Sequence, residues 1–245
     1  MKAEPSLQNL FLDAIHAKSI DRYSDQVITQ VVEGRSNMDV ANGLSVVTPT
    51  LDAWVLRVLV QTTRPLSGRQ IARLVEHGSL GGVQKALIRL VKQGIVLADA
   101  YPSATLFTFN RDHLAARPVI ELAQLTTTLV DRLKDAIRSW TIQPQHAYLF
   151  GSAARQDGDT SSDVDILLVH APGQLQTRDV WNLQVDNLAT KIRLWTGNDA
   201  GILEISALGL DRMRVNDEAI LDSWQREGIL LAGVDLPQRQ LALTR

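Results

Sequence analysis

The sequence predicts two architectures in tandem, a mostly α segment followed by an α/β (α+β) domain. Two patterns carry this expectation. From Leu51 to Gly94 the apolar residues recur every three or four positions, the period of amphipathic helices. From residue 142 onward, short apolar runs of strand length are separated by one long helical stretch, the mark of a small layered α/β unit. Charge divides the chain at the same place. Between Asp52 and Ala116 there are eight Lys/Arg against four acids, whereas from Thr141 to Arg245 there are nine against fourteen. A net charge of −2 over 245 residues thus hides a mildly basic half and an acidic half.

Composition sets further bounds. With 245 residues, 45% of them hydrophobic, the chain can bury a sizeable core and fits one to three domains. Near-neutral charge argues against a general nucleic-acid coat protein. Cysteine is absent, so disulfides, thiolate metal sites and cysteine nucleophiles are excluded, in keeping with a reducing compartment. The N-terminus reads as a short amphipathic helix rather than a signal peptide, and no apolar run approaches a membrane span, so a cytoplasmic protein is expected.

Residues 1–48 read as an N-terminal helical extension with a loop-like Glu33–Gly43 stretch. In residues 49–117, Leu51, Val55, Val58 and Leu59 line one face of a first helix. Ser67 can cap a second helix and Gly78 can end it. A third helix turns Val83, Leu87, Leu90 and Val91 inward and stops at Gly94. Two short strands follow around Tyr101-Pro102-Ser103. A long helix is expected from about Pro118 to Trp140, with Leu122, Leu125, Leu129, Leu133, Ile137 and Trp140 at 3–4 spacing. It links the halves, and either packs on its own chain or pairs with a copy in a homodimer. In residues 142–245, "HAYLF", "DVDILLVH" and "GILEISAL" are strands, and "GILLAG" lies near the end. The helix between the second and third strands should turn Val180, Leu183, Val185, Leu188 and Ile192 inward.

The chemistry concentrates in "YLFGSAARQDGDTSSDVDILLVH", Tyr148–His170. Asp163 and Asp165 are i, i+2 at a strand mouth and so share a face. Two carboxylates held that close raise each other's pKa unless a cation neutralises them. Oxygen ligands in a cysteine-free chain suit Mg²⁺ or Mn²⁺. The preceding strand ends at Gly151-Ser152, where backbone can approach a ligand closely and a hydroxyl can hold phosphate oxygens. Arg155 adds a positive fork. The alternatives are a solvated strand entrance for the aspartates and a surface pair with Asp157 or Asp159 for Arg155. The five histidines (16, 77, 113, 146, 170) show no ligand spacing.

A Gly-Ser turn, an arginine and Asp-x-Asp on the next strand together resemble the minimal form of the DNA polymerase β-like nucleotidyltransferase superfamily. The segment ahead of it resembles the winged helix-turn-helix domains fused to such transferases. The first resemblance implies transfer of a nucleoside monophosphate from an NTP, ATP by family habit, to a hydroxyl. Asp163 and Asp165 would hold metal. Glu204 on the later strand would supply a third carboxylate, unless it is an edge-strand acid facing water. Gly151, Ser152 and Arg155 would hold the triphosphate. The chain departs from the family pattern twice: Glu204 replaces an aspartate, and Gln156 stands where glycine commonly follows the arginine. The second resemblance implies double-stranded DNA as a partner. Lys85, Arg89 and Lys92 form a stripe on the third helix, Gln84 is placed to read a base edge, and Arg69 and Arg73 add phosphate contacts. The stripe reads equally as a solvated face. A reading from another class is a DNA-binding regulator or antitoxin-like protein whose transferase domain only senses nucleotide or contacts a partner.

Overall fold

The computed structural model describes residues 37–75, 78–171, 178–215 and 219–236. Most of the expected N-terminal extension, with His16 and His77, lies outside the described residues. Residues 37–236 fall within one compact unit.

The first half is built from α1 (Leu51–Gln61), β1 (Leu66–Ser67), α2 (Gly68–Leu74), α3 (Leu80–Lys92), β2 (Val96–Ala100) and β3 (Thr105–Phe109). Local chemistry sets the helix starts. Ser67 and Gln70 form a reciprocal capping box on α2, and the Ser79 hydroxyl accepts from the Gly82 N–H at the start of α3. After α3 the chain turns at Gly94, φ 77°, a left-handed conformation that glycine adopts without steric cost. The three strands form an antiparallel sheet in the order β1-β3-β2. Val55, Leu59, Ile71, Val83, Leu87 and Phe109 form the core between helices and sheet.

The expected long helix is two helices, α4 (Ala116–Ala123) and α5 (Leu125–Arg138), broken at Gln124. The two pieces serve different cores. Val119, Ile120 and Leu122 pack on the first half, while Leu129, Leu133 and Ile137 are buried against the second. At the break, Gly43 sits so close that an added Cβ would lie 2.3 Å from the Leu122 carbonyl oxygen. Of the apolar face expected along this stretch, Leu129, Leu133 and Ile137 are buried within the chain, and Leu122, Leu125 and Trp140 are half-buried.

The second half is a four-stranded sheet of order β6-β5-β4-β7, from β4 (His146–Phe150), β5 (Val164–His170), β6 (Ala200–Ser206) and β7 (Ile229–Gly233). β4 pairs antiparallel with β5 and β7, and β5 runs parallel to β6. The five-residue helix α6 (Gly151–Arg155) follows β4 directly. α7 (Arg178–Thr196) crosses between β5 and β6, and α8 (Ala207–Val215) and α9 (Ala219–Glu227) precede β7.

Alternation of side chains gives each sheet face its own core. Ala147, Leu149, Val164, Ile166 and Leu168 pack against α5 and α7 on one face. Tyr148, Leu167 and Val169 pack with Leu210, Leu221 and Trp224 of α8 and α9 on the other. The inner face of α7 differs from the expected one. Val185, Leu188 and Ile192 are buried as expected, but Val180 and Leu183 are exposed and Trp181 is buried instead. The Trp181 indole packs edge-on to Trp140 and rotates the helix onto that stripe. In the middle of β4, Tyr148 donates to the Asp235 carboxylate and accepts from the Leu236 N–H. Burial and that carboxylate push its phenol up to about 12.

Candidate active site

Register decides which acids meet. Asp165 stands opposite Phe150 of β4 and Gly201 of β6. Directly paired residues project to the same side of a sheet, so the Asp165 carboxylate lies on the α8/α9 face, near the end of β4 where α6 begins. Two glycines make room for it. At Gly151 (φ 68°) an added Cβ would lie 2.2 Å from one Asp165 carboxylate oxygen, and at Gly201 it would lie 2.5 Å from the other. Gly151 thus serves a left-handed turn and a close approach at once. Gly201 escaped the sequence reading. Its only signal there was a glycine at the start of the third strand, which has no meaning until the register with β5 is known.

Asp163 precedes β5 and is exposed, whereas Asp165 is half-buried. Burial first, and then the Asp163 charge, push the Asp165 carboxyl above the ordinary range, with Arg155 pulling partly back. Among the described residues no hydrogen-bond donor reaches either carboxylate. Asp159 in the same loop is the contrast. It accepts from the Ser161 hydroxyl at 2.6 Å and the Ser161 N–H at 2.8 Å, and the hydroxyl bond leads in lowering its pKa. Asp159 shapes the loop, while Asp163 and Asp165 remain two adjacent acids with unfilled acceptor positions. Such a donor set suits a hard divalent cation, which would supply the charge they lack.

Ser152, half-buried on α6, follows Gly151 at this end of the sheet. Arg155 is close enough to affect Asp165, but its guanidinium is shared. It donates to Asp157 at 2.8 Å and to Glu227 of α9 at 3.4 Å. It is therefore a paired arginine, with Asp157 and Glu227 as its partners. Gln156 accommodates the missing glycine by itself taking a left-handed conformation, φ 59° and ψ 35°. Among the described residues it is the only non-glycine at positive φ.

Glu204 is not brought to this site. It pairs with Leu168, three positions beyond the Asp165–Gly201 pair and of opposite parity, so it lies on the α5/α7 face. There its carboxylate accepts from the Trp181 indole N–H at 2.5 Å. The expectation of a third carboxylate from Glu204 is corrected by one step of strand phase. The β6 residues on the Asp165 face are Gly201, Leu203 and Ile205, and none is acidic. No group of three or more His, Asp or Glu residues arranged to hold a metal occurs among the described residues.

The six basic-half candidates separate in the same way. Arg69, Arg73, Gln84, Lys85 and Lys92 are exposed on α2 and α3. Arg69 and Gln84 share a cleft of about 640 Å³ with Ile88, Ser103 and Thr105. Arg89 is exposed as well, but it is already paired. Its guanidinium makes a two-pronged pair with Asp52 of α1, at 2.6 and 3.2 Å, and ties α3 to α1. No helix among the described residues is long and apolar enough to cross a membrane.

Residues 130–206, which span α5 to β6, match the family model for the nucleotidyltransferase domain. Among solved structures, a mutant of the toxin–antitoxin MntA-HpeT is 18% identical, over 43% of this chain and 73% of that one, with a TM-score of 0.30. A nucleotidyltransferase-like protein from Sulfolobus solfataricus is 17% identical, over 43% of this chain and 77% of that one, at 0.26. Human N-acetylserotonin methyltransferase is 15% identical, over 50% of this chain and 36% of its own, at 0.25. All three scores lie below 0.5. No curated protein shows significant similarity to the chain. The stretch that carries both aspartates, the Gly-Ser turn and the parallel β5–β6 pair therefore matches the nucleotidyltransferase domain family.

Proposed function

We propose that the chain is a metal-dependent nucleotidyltransferase that moves a nucleoside monophosphate from an NTP to a hydroxyl acceptor and releases pyrophosphate. One observation carries this: the Asp163 charge acts on Asp165, neither carboxylate meets a hydrogen-bond donor among the described residues, and Asp165 is seated between two glycines next to the Gly151-Ser152 turn. Asp163 and Asp165 would hold a divalent cation, which when bound supplies positive charge against the phosphates. The rest falls to the chain's own groups. Gly151 lets the backbone approach the phosphates, and the Ser152 hydroxyl donates to a phosphate oxygen. Arg155 exchanges Asp157 or Glu227 for phosphate, an anion whose oxygens its planar fork also fits. Glu204 takes no part, because the indole of Trp181 occupies it on the other face.

In this reading residues 49–117 are a winged helix that brings the transferase to duplex DNA or regulates it. The strand order β1-β3-β2 and the exposed Arg69, Arg73, Gln84, Lys85 and Lys92 support it. Removing a phosphate contact such as Lys85 should weaken DNA binding and flatten its salt dependence by about one unit of log–log slope.

The test is calorimetric titration of each of ATP, GTP, CTP and UTP with Mg²⁺. Metal-dependent binding of one NTP names the donor. No binding of any NTP by folded protein overturns the reading.

A further inference from the structure

Resting on that transferase reading, we infer that Arg57, in the α-helical first half, is a positioning residue for the phosphate-holding turn. The turn has a weak point at Gln156. This residue closes α6, takes the left-handed conformation that non-glycine residues disfavour, and follows directly on Arg155. Its N–H and that of Asp157 both donate to the Ser152 carbonyl oxygen, so the conformation of Gln156 sets how the chain leaves the Gly151-Ser152 turn.

Something outside the turn supports that conformation. Arg57 of α1, 99 residues earlier in the chain, donates through one guanidinium nitrogen to the Gln156 side-chain oxygen at 3.2 Å and to its backbone oxygen at 3.4 Å. Both bonds are long, but they converge on one residue, and Arg57 is half-buried with its guanidinium 5.6 Å from the ring centre of Trp54. Stacking restricts the side chain before it reaches Gln156, so little freedom is lost in making the contact. The side chain that replaces the usual glycine is thus also the handle by which α1 holds it. The inference assigns Arg57 no contact with substrate. It acts through Gln156.

The experiment is a double-mutant cycle on the full chain with Arg57→Ala, Gln156→Gly and their combination, with Arg57→Lys as the conservative control. Glycine adopts the left-handed turn freely, so Gln156→Gly should remove the need for Arg57. The first readout is hydrogen exchange of the Gln156 and Asp157 amides without nucleotide. The second is binding of each of the four NTPs with Mg²⁺. Arg57→Ala should speed exchange of those amides and weaken NTP binding, each about tenfold, as loss of a charge-assisted contact implies. Arg57→Lys should recover part of both. In the Gln156→Gly background Arg57→Ala should change neither. Unchanged exchange in Arg57→Ala overturns the inference. So does an equal loss of binding from Arg57→Ala in both backgrounds, or faster exchange with unaltered binding. If wild type binds no NTP while the exchange difference persists and vanishes in the Gln156→Gly background, the transferase reading fails and the hold of Arg57 on the turn stands.

Discussion

The two faces of the four-stranded sheet carry one acid each from neighbouring strands, and the acids have opposite fates. Asp165 of β5 faces α8 and α9, lacks a donor among the described residues, and has its carboxyl pushed up by burial and by Asp163. Glu204 of β6 faces α5 and α7 and is held by the Trp181 indole. Both are acids flanked by apolar residues in strands, and in the sequence they look alike. What separates them is parity. A one-residue difference in phase puts a strand residue on the other side of the sheet, with a different set of helices. A satisfied acid stabilises; an unsatisfied one costs stability and has a reason to be there only if something else is to fill it.

The sharpest way to break this contrast is to neutralise the unsatisfied face. Asp163→Asn together with Asp165→Asn should abolish metal-dependent NTP binding, a loss of roughly a hundredfold or more, since charge stabilisation is the largest contribution such sites make. Retained binding in the double variant would erase the distinction between the faces. Gly201→Ala should come next. Its Cβ would press 2.5 Å from an Asp165 oxygen, and the carboxylate must move. Calorimetry should show about tenfold weaker binding, with a stability cost of about 1–3 kcal/mol from the overpacked contact.

Stability against pH sharpens the comparison from the other side. The folded-state pKa of Asp165 is raised, so its ionisation opposes folding. Its contribution is most favourable below the unfolded carboxyl pKa and is lost as pH rises through the folded value. Asp165→Asn should therefore have a higher Tm than wild type at pH 7, and the gap should close on acidification. Thermal melts across pH 3–8 check the sign. The smallest effect belongs to Glu204→Gln. Nucleotide binding should stay within about twofold of wild type, and stability should fall by about 0.5–1.5 kcal/mol as the indole loses a charged acceptor.

Much of this arrangement is legible in the sequence because it is local. Ser67 announces its helix through a cap, and Asp163 and Asp165 announce an interacting acid pair through their spacing. What escapes is what depends on a partner element. Glu204 needs the register of β6 on β5. The break at Gln124, where Gly43 packs closely, leaves no mark in the apolar repeat, which runs through it unaltered. Val180 and Leu183 satisfy the helical period as well as Trp181 does, and the partners of Trp181 on other elements, Trp140, His170 and Glu204, go with the stripe that is buried. Arg89 and Lys85 are equivalent as charges until Asp52 of another helix claims one of them.

The most direct test of the central claim is Mn²⁺ binding followed by electron paramagnetic resonance with each NTP present, in wild type, Asp165→Asn and Glu204→Gln. Bound Mn²⁺ in wild type and Glu204→Gln alike, and its loss in Asp165→Asn, is the result predicted for a site confined to the Asp165 face. Loss in Glu204→Gln as complete as in Asp165→Asn would contradict it, and would return Glu204 to the metal.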